Sequence, residues 1–269
     1  MRRVCSLSLF FFLFSCDATP PGPSGSDTAA DLVVDVSVDE TLPVDIAVDL
    51  LMVDHRPCPD ETVTPSYDAV PLDDPGISGW AVAVVSYEAG EDVDDEWTDI
   101  EKAVGPAAGS STEILCLGSG GVVTLSFDPP ISNQSGPDLA VFENSFQDTF
   151  LELAFVEVST DGVVFERFDS ESLTPDPVGP FGTMDPNLIR GLAGTLMQGF
   201  GTPFDLSALV NHPQVLSGAV SLHAIHFVRV VDVVGDGNTS DSFGNPIYDP
   251  YPTTGSAGFD LDGVAVLGN

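Results

Sequence analysis

The chain has 269 residues, of which 42 are acidic and only 7 are Lys or Arg, for a formal charge of −35. That charge excludes nucleic acid and an anionic bilayer surface as natural partners, since both would be repelled. The hydrophobic fraction of 43% is enough for one large core. The acidity suits either solubility alone or the binding of hard cations, which favour carboxylate and carbonyl oxygens.

The N-terminus begins with Arg2 and Arg3, continues through an apolar segment at 7–14, and reaches Leu13-Phe14-Ser15-Cys16. The apolar stretch is too short to span a bilayer and reads as an export signal over residues 1–15. LFSC resembles the lipobox of bacterial lipoproteins, which implies cleavage before Cys16, a lipid on its thiol, and attachment to the membrane through that lipid. Residues 16–57 contain TPPGPSGSD and then repeated Val-Asp units without a basic residue. They read as an extended, disordered tether; the other reading is an acidic strand that joins the sheet. With Cys5 removed and Cys16 lipidated, Cys58 and Cys116 remain, and an oxidising compartment predicts that they form a disulfide.

Residues 58–269 read as one β-domain. Residues 80–87 (WAVAVVSY) form an apolar β-run, and residues 88–101 an acidic loop carrying Trp97. Val123, Leu125 and Phe127 alternate with polar or smaller neighbours, and further runs follow at 138–144, 150–159 and 163–168. Asp161-Gly162 between the last two is a hairpin signal, because Gly accepts positive φ. Together these runs predict strands in an antiparallel sheet. Residues 187–198 suggest a short helix and residues 205–210 a single turn. Residues 223–234 and 259–267 are late strands flanking a loop at 236–255. The expected class is all-β: an antiparallel β-sandwich, of jelly-roll type, with long loops.

VEVSTDGVVFERF, HFVRVVDV and FDLDGVAVL resemble strands of galactose-binding-like, discoidin-type jelly rolls. The set VFEN, GLAG, GTPFDLS and GFDLDGVAV more closely resembles a group of uncharacterised bacterial cell-surface lipoproteins. The resemblance spans roughly residues 65–269 and implies a calcium-supported jelly-roll domain with a binding or structural role.

Asp236, Asn238 and Ser240 stand at alternate positions in GDGNTSD, like the start of a calcium loop. Asp241 and Ile247 at the later positions exclude an EF-hand. Asp260 and Asp262, expected on one face of the last strand, complete the candidate calcium set; a polar turn without an ion is the plainer reading. Glu143 and Asn144 interrupt an apolar run, and a carboxylate there needs a hydrogen-bonding partner, a cation or a ligand hydroxyl. Trp97, Tyr248 and Tyr251 are candidates for stacking on sugar rings, or for packing on the domain. His223 and His226 at an offset of three fall on opposite faces of a strand, so a shared zinc site is not expected. No nucleophile motif appears. The sequence therefore points to a lipid-anchored protein of the cell surface or outer membrane. It would be a non-enzymatic module that binds a glycan or a surface partner with calcium support. A carboxylate-dependent hydrolase and a purely structural envelope protein are the alternatives.

Overall fold

The computed structural model describes residues 67–268. The export signal, Cys16, the tether and Cys58 lie outside the described residues. The described chain forms β1 (Val70–Pro71), β2 (Ile77–Trp80), β3 (Ala83–Glu88), β4 (Leu115–Cys116), β5 (Val122–Ile131), β6 (Leu139–Glu143), β7 (Ala154–Ser159) and β8 (Glu166–Arg167). It continues through β9 (Glu171–Ser172), β10 (Ile189–Arg190), β11 (Phe200–Phe204), a short α1 (Pro213–Leu216), β12 (Ile225–Asp232), β13 (Asp236–Ser240), β14 (Pro246–Tyr248) and β15 (Asp260–Leu267).

The fold is all-β and antiparallel. One sheet runs β1-β11-β6-β15-β2, with β4 also on β15; the other runs β3-β5-β12-β7-β8. Their inward residues meet in one core: Val123 and Leu125 of β5, Val156 and Val158 of β7, and Val228 and Val230 of β12 face Leu139 and Val141 of β6 with Leu261 and Val264 of β15. The alternation of these residues is what allows each strand to give one face to the core. Phe168 and Phe204 close one end, ring centroids 5.0 Å apart. A second core, including Leu151, Leu153, Phe155, Met184 and Ile247, packs beneath the long connections.

Several sequence expectations are corrected. Residues 121–127 and 138–144 were expected in one antiparallel sheet, but β5 and β6 lie in different sheets. The run 80–87 divides at the buried Ala81 into β2 of one sheet and β3 of the other. The hairpin at Asp161-Gly162 forms, with Gly162 at φ +74°. However, β8 begins only at Glu166, because Asp161 Oδ1 takes the amides of Val163 and Val164 at 2.8 and 2.9 Å. The expected helix at 187–198 is absent: β10 pairs with β9 instead, and Gly194 at φ +87° breaks any helical run. A Cβ there would lie 1.9 Å from the Glu152 carbonyl oxygen, so only glycine fits.

His212 joins α1 to the second sheet. Its Nδ1 stands 3.4 Å from Glu166 Oε1 and its Nε2 3.3 Å from Asp169 Oδ2, while Glu166 Oε2 accepts the Gln214 amide at 2.7 Å. The hydrogen bond with Asp169 raises the His212 pKa, and the same bond lowers that of Asp169. The histidine's stabilising contribution is therefore full below the unfolded imidazole value, about 6.5, and is lost as pH rises through the raised value. The Asp169 contribution is present above about 3.8 and is lost on acidification. His212→Ala should cost about 1 kcal/mol near pH 5.5 and much less at pH 8.5, read as the difference in thermal midpoint from the parent chain at each pH.

Candidate functional site

Few cations are available to the buried acids. Among the described residues, Arg167 and Arg229 both pair with Glu157, at 2.7 and 3.2 Å. Arg190 stands 4.0 Å from Glu171, and Lys102 Nζ donates to the Thr112 carbonyl at 2.6 Å. Most buried carboxylates are held by backbone amides instead. Asp232 accepts from Gly120 and Phe259, each at 2.7 Å, and ties the end of β12 to the turn before β5 and to the start of β15. Asp138 accepts from Gln134 at 2.8 Å and Leu206 at 2.9 Å. Asp241 accepts from Ser172 at 2.9 Å and from Phe243 and Asn245 at 2.9 and 2.8 Å. Asp262 accepts from Ala108 and Gly109 at 2.7 and 2.8 Å. Such bonds offset the desolvation of the charge.

Glu143, Glu152 and Asp260 are three further buried acids, of which Glu143 keeps to this rule and Asp260 does not. Their exposures are 3%, 5% and 4%. Asp260 opens β15 opposite Cys116, and the next residue of β15, Leu261, lies opposite Glu143 at the end of β6. Glu152 precedes β7, beneath Gly194. Glu143 Oε2 accepts the Ser145 amide at 2.8 Å. Asp260 Oδ1 is sealed from solvent without a hydrogen bond. Burial, then the charge of Asp260, pushes Glu143 well above the usual carboxylate range. Glu152 rises for the same reasons, with Glu143, Asp249 and Asp232 adding to the repulsion. Burial pushes Asp260 up to about 7, against hydrogen bonds from Cys116 and Asn144 that favour its charged form.

The expected calcium set is not assembled. Asp236 and Ser240 lie in the ribbon β13–β14, and Asp236 takes the amide and side-chain nitrogen of its own neighbour Asn238 at 2.8 and 2.7 Å. Asp260 and Asp262 do not act together: a register shift between Leu261 and Gly263 interrupts the period of two, and Asp262 is committed to residues 108 and 109. Among the described residues, no three His, Cys, Asp or Glu side chains stand in ligating geometry as placed. Cys116 is a free, fully buried thiol, so the expected bond to Cys58 is not found; Cys58 itself lies outside the described residues. Burial, then Asp260, raises the Cys116 pKa, which keeps the thiol a protonated donor to Asp260.

Glu143 and Asn144, expected to meet a ligand, are both buried; Asn144 donates to the Ser111 carbonyl at 3.3 Å and to Asp260. Trp97, Tyr248 and Tyr251 are each half-buried, and no ring contact joins them into a shelf. Tyr248 covers Gly237, where any Cβ would enter its ring. Glu152 was not singled out in the sequence. Its signal was the one that marked Glu143, a carboxylate inside an apolar run, here Leu151-Glu152-Leu153.

A cavity of about 610 Å³ opens between β11 and residues 186–197. Its wall includes Tyr67, Asn187, Arg190, Met197, Phe200 and Thr202. Met197 and Phe200 are 42% and 44% exposed, and the Tyr67 hydroxyl is anchored on Asp205. Neither Glu143, Glu152 nor Asp260 lines it. No family model, curated protein or solved structure matches the chain.

The different fates of two expected ligands can be measured. Asp262→Asn turns an amide toward the donors of residues 108 and 109 and should destabilise the domain by about 1–3 kcal/mol. Asp236→Asn, altering only a local turn, should stay within about 0.5 kcal/mol. Denaturant melts of both variants give the comparison; equal losses would contradict it.

Proposed function

We propose that this chain is an exported, lipid-anchored, non-enzymatic surface module that binds a glycan in the cavity between β11 and residues 186–197. The observation that carries the reading is the mixed lining of that cavity. Exposed Phe200 and Met197 present apolar surface for the C–H face of a sugar ring, while Asn187, Arg190 and Thr202 offer partners for its hydroxyls. A volume of about 610 Å³ lies within the range of small-ligand sites. The formal charge of −35 favours an uncharged glycan over an acidic one. The buried carboxylates stand outside the cavity and are closed to a polymer, which supports binding over hydrolysis. A jelly-roll connectivity, attachment through Cys16 and residence at the outer membrane or cell surface belong to the same reading. They rest on the LFSC pattern and on the strand motifs quoted above.

Two experiments test it. On an array of neutral and charged glycans, the full chain should select neutral structures, and Phe200→Ala or Arg190→Ala should weaken the selected interaction about tenfold. Binding unaffected by either change, or binding only to a protein partner, would contradict the glycan reading. Cys16→Ser should abolish both membrane partitioning and fatty-acid labelling; a variant that keeps them would refute the anchor.

A further inference from the structure

Phe146, on the turn that follows β6, is 61% exposed. Its ring stacks on that of Phe150, with centroids 5.5 Å apart and planes 21° from parallel. We infer that this pair is a second sugar-stacking platform, so that the cavity and the platform together take a neutral glycan chain of two or more units; the inference rests on the glycan reading of the cavity. Two observations carry it. First, the turn adjoins the cavity wall. Asp148, between the two phenylalanines, belongs to that wall. The Ser145 carbonyl accepts the amide of Gln198 at 2.7 Å, next to Met197 of the wall. The Thr149 carbonyl accepts the Met184 amide at 2.7 Å, two residues before Pro186 of the wall. Second, the platform is held in place from below. Ser145 is 1% exposed. Its hydroxyl shares one proton between the Gln147 carbonyl at 2.6 Å and the Phe150 carbonyl at 2.5 Å, and its amide donates to Glu143 Oε2 at 2.8 Å. The turn is therefore closed on a buried residue. Phe150 covers one face of the Phe146 ring, and the other face stays open to solvent. An apolar surface kept exposed beside a cavity marks a binding site more often than a packing defect.

The ligand class follows from what lies between the two apolar surfaces. Phe200 and Met197 are in the cavity wall, Phe146 is outside it, and the exposed Asp148 belongs to both regions. A carboxylate there accepts protons from hydroxyls. It repels carboxylated, sulfated or phosphorylated ligands, in a chain whose formal charge is already −35. An acyl chain or an apolar peptide face laid across both surfaces would strip the water from Asp148 and return no donor to it. A neutral sugar chain avoids that cost. Each ring offers a C–H face to the aromatic surface and hydroxyls at its edge. Two apolar platforms joined by one acceptor thus suit consecutive rings of a single chain better than one isolated sugar.

The test is an NMR titration of the full chain with the monosaccharide, disaccharide and tetrasaccharide of glucose, mannose and galactose. In the series that binds, the tetrasaccharide should bind about tenfold more tightly than the monosaccharide. Phe146→Ala should remove that gain and leave the monosaccharide affinity within about twofold of the parent, whereas Phe200→Ala should weaken both sugars. Phe146→Tyr keeps the ring and should keep the gain. Val163→Ser, at an 80% exposed position in the β7–β8 hairpin, should change neither affinity. Because Phe146 is mostly in solvent, its truncation should leave the thermal midpoint near that of the parent, which separates lost stacking from misfolding. If no series binds, the glycan reading of the cavity fails and takes this inference with it. If sugars bind but affinity does not grow with length, or if Phe146→Ala weakens the monosaccharide as much as the tetrasaccharide, the cavity reading stands and the platform is refuted. Octanoate that shifts the Phe146 resonances where the tetrasaccharide does not would also refute it.

Discussion

Asp232 illustrates the constraint on which the rest of this structure depends. It is buried between the two sheets, and in a chain with 42 acids and 7 Lys or Arg it has no cation to meet. Its two oxygens are satisfied by the amides of Gly120 and Phe259, and this joins β12, the approach to β5 and the start of β15. The same solution recurs at Asp138, Asp241 and Asp262, each of which gathers amides from a loop distant in sequence or from its own turn. A backbone amide cannot be lost to a side-chain rotamer, and an acceptor that takes two or three of them fixes the path of a loop. Long connections between short strands thus acquire defined positions without helices and without the ion pairs that the composition denies them.

Asp260 is the buried aspartate where the amides run out: its Oδ1 is sealed from solvent without a hydrogen bond. It opens β15 opposite Cys116, and residues 191–197, part of the cavity wall, rest near the start of that strand through Gly194, which lies against the Glu152 carbonyl and the Phe259 ring.

The strands were the legible part of the sequence. Alternation announced the first part of β5, apolar runs announced β12 and β15 almost to their ends, and Asp161-Gly162 announced the β7–β8 hairpin. Their distribution between sheets was not legible, because alternation tells which side chains share a face but not which strand lies alongside. The same limit hid the division of residues 80–87, where one apolar run serves two sheets. At 187–198, helical propensity was overridden by the close approach of Gly194 to the Glu152 carbonyl, a long-range contact with no local mark. Among the acids, sequence spacing favoured the GDGNTSD turn, which closes on itself through Asn238. The stronger clue was the cost of a carboxylate in an apolar run. It marked Glu143, and applied evenly it would have marked Glu152 as well. The cavity residues Asn187, Arg190 and Phe200 carry no such clue, since each is ordinary in an exposed loop.

The central claim is that backbone amides hold the buried aspartates in place of cations. The most direct measurement is hydrogen exchange at the Gly120 and Phe259 amides, which Asp232 accepts, in the parent chain and in Asp232→Ala. The account predicts that both amides are protected in the parent and lose protection in the variant, while the amides of β5 keep theirs. Equal protection of Gly120 and Phe259 in the two proteins would contradict it.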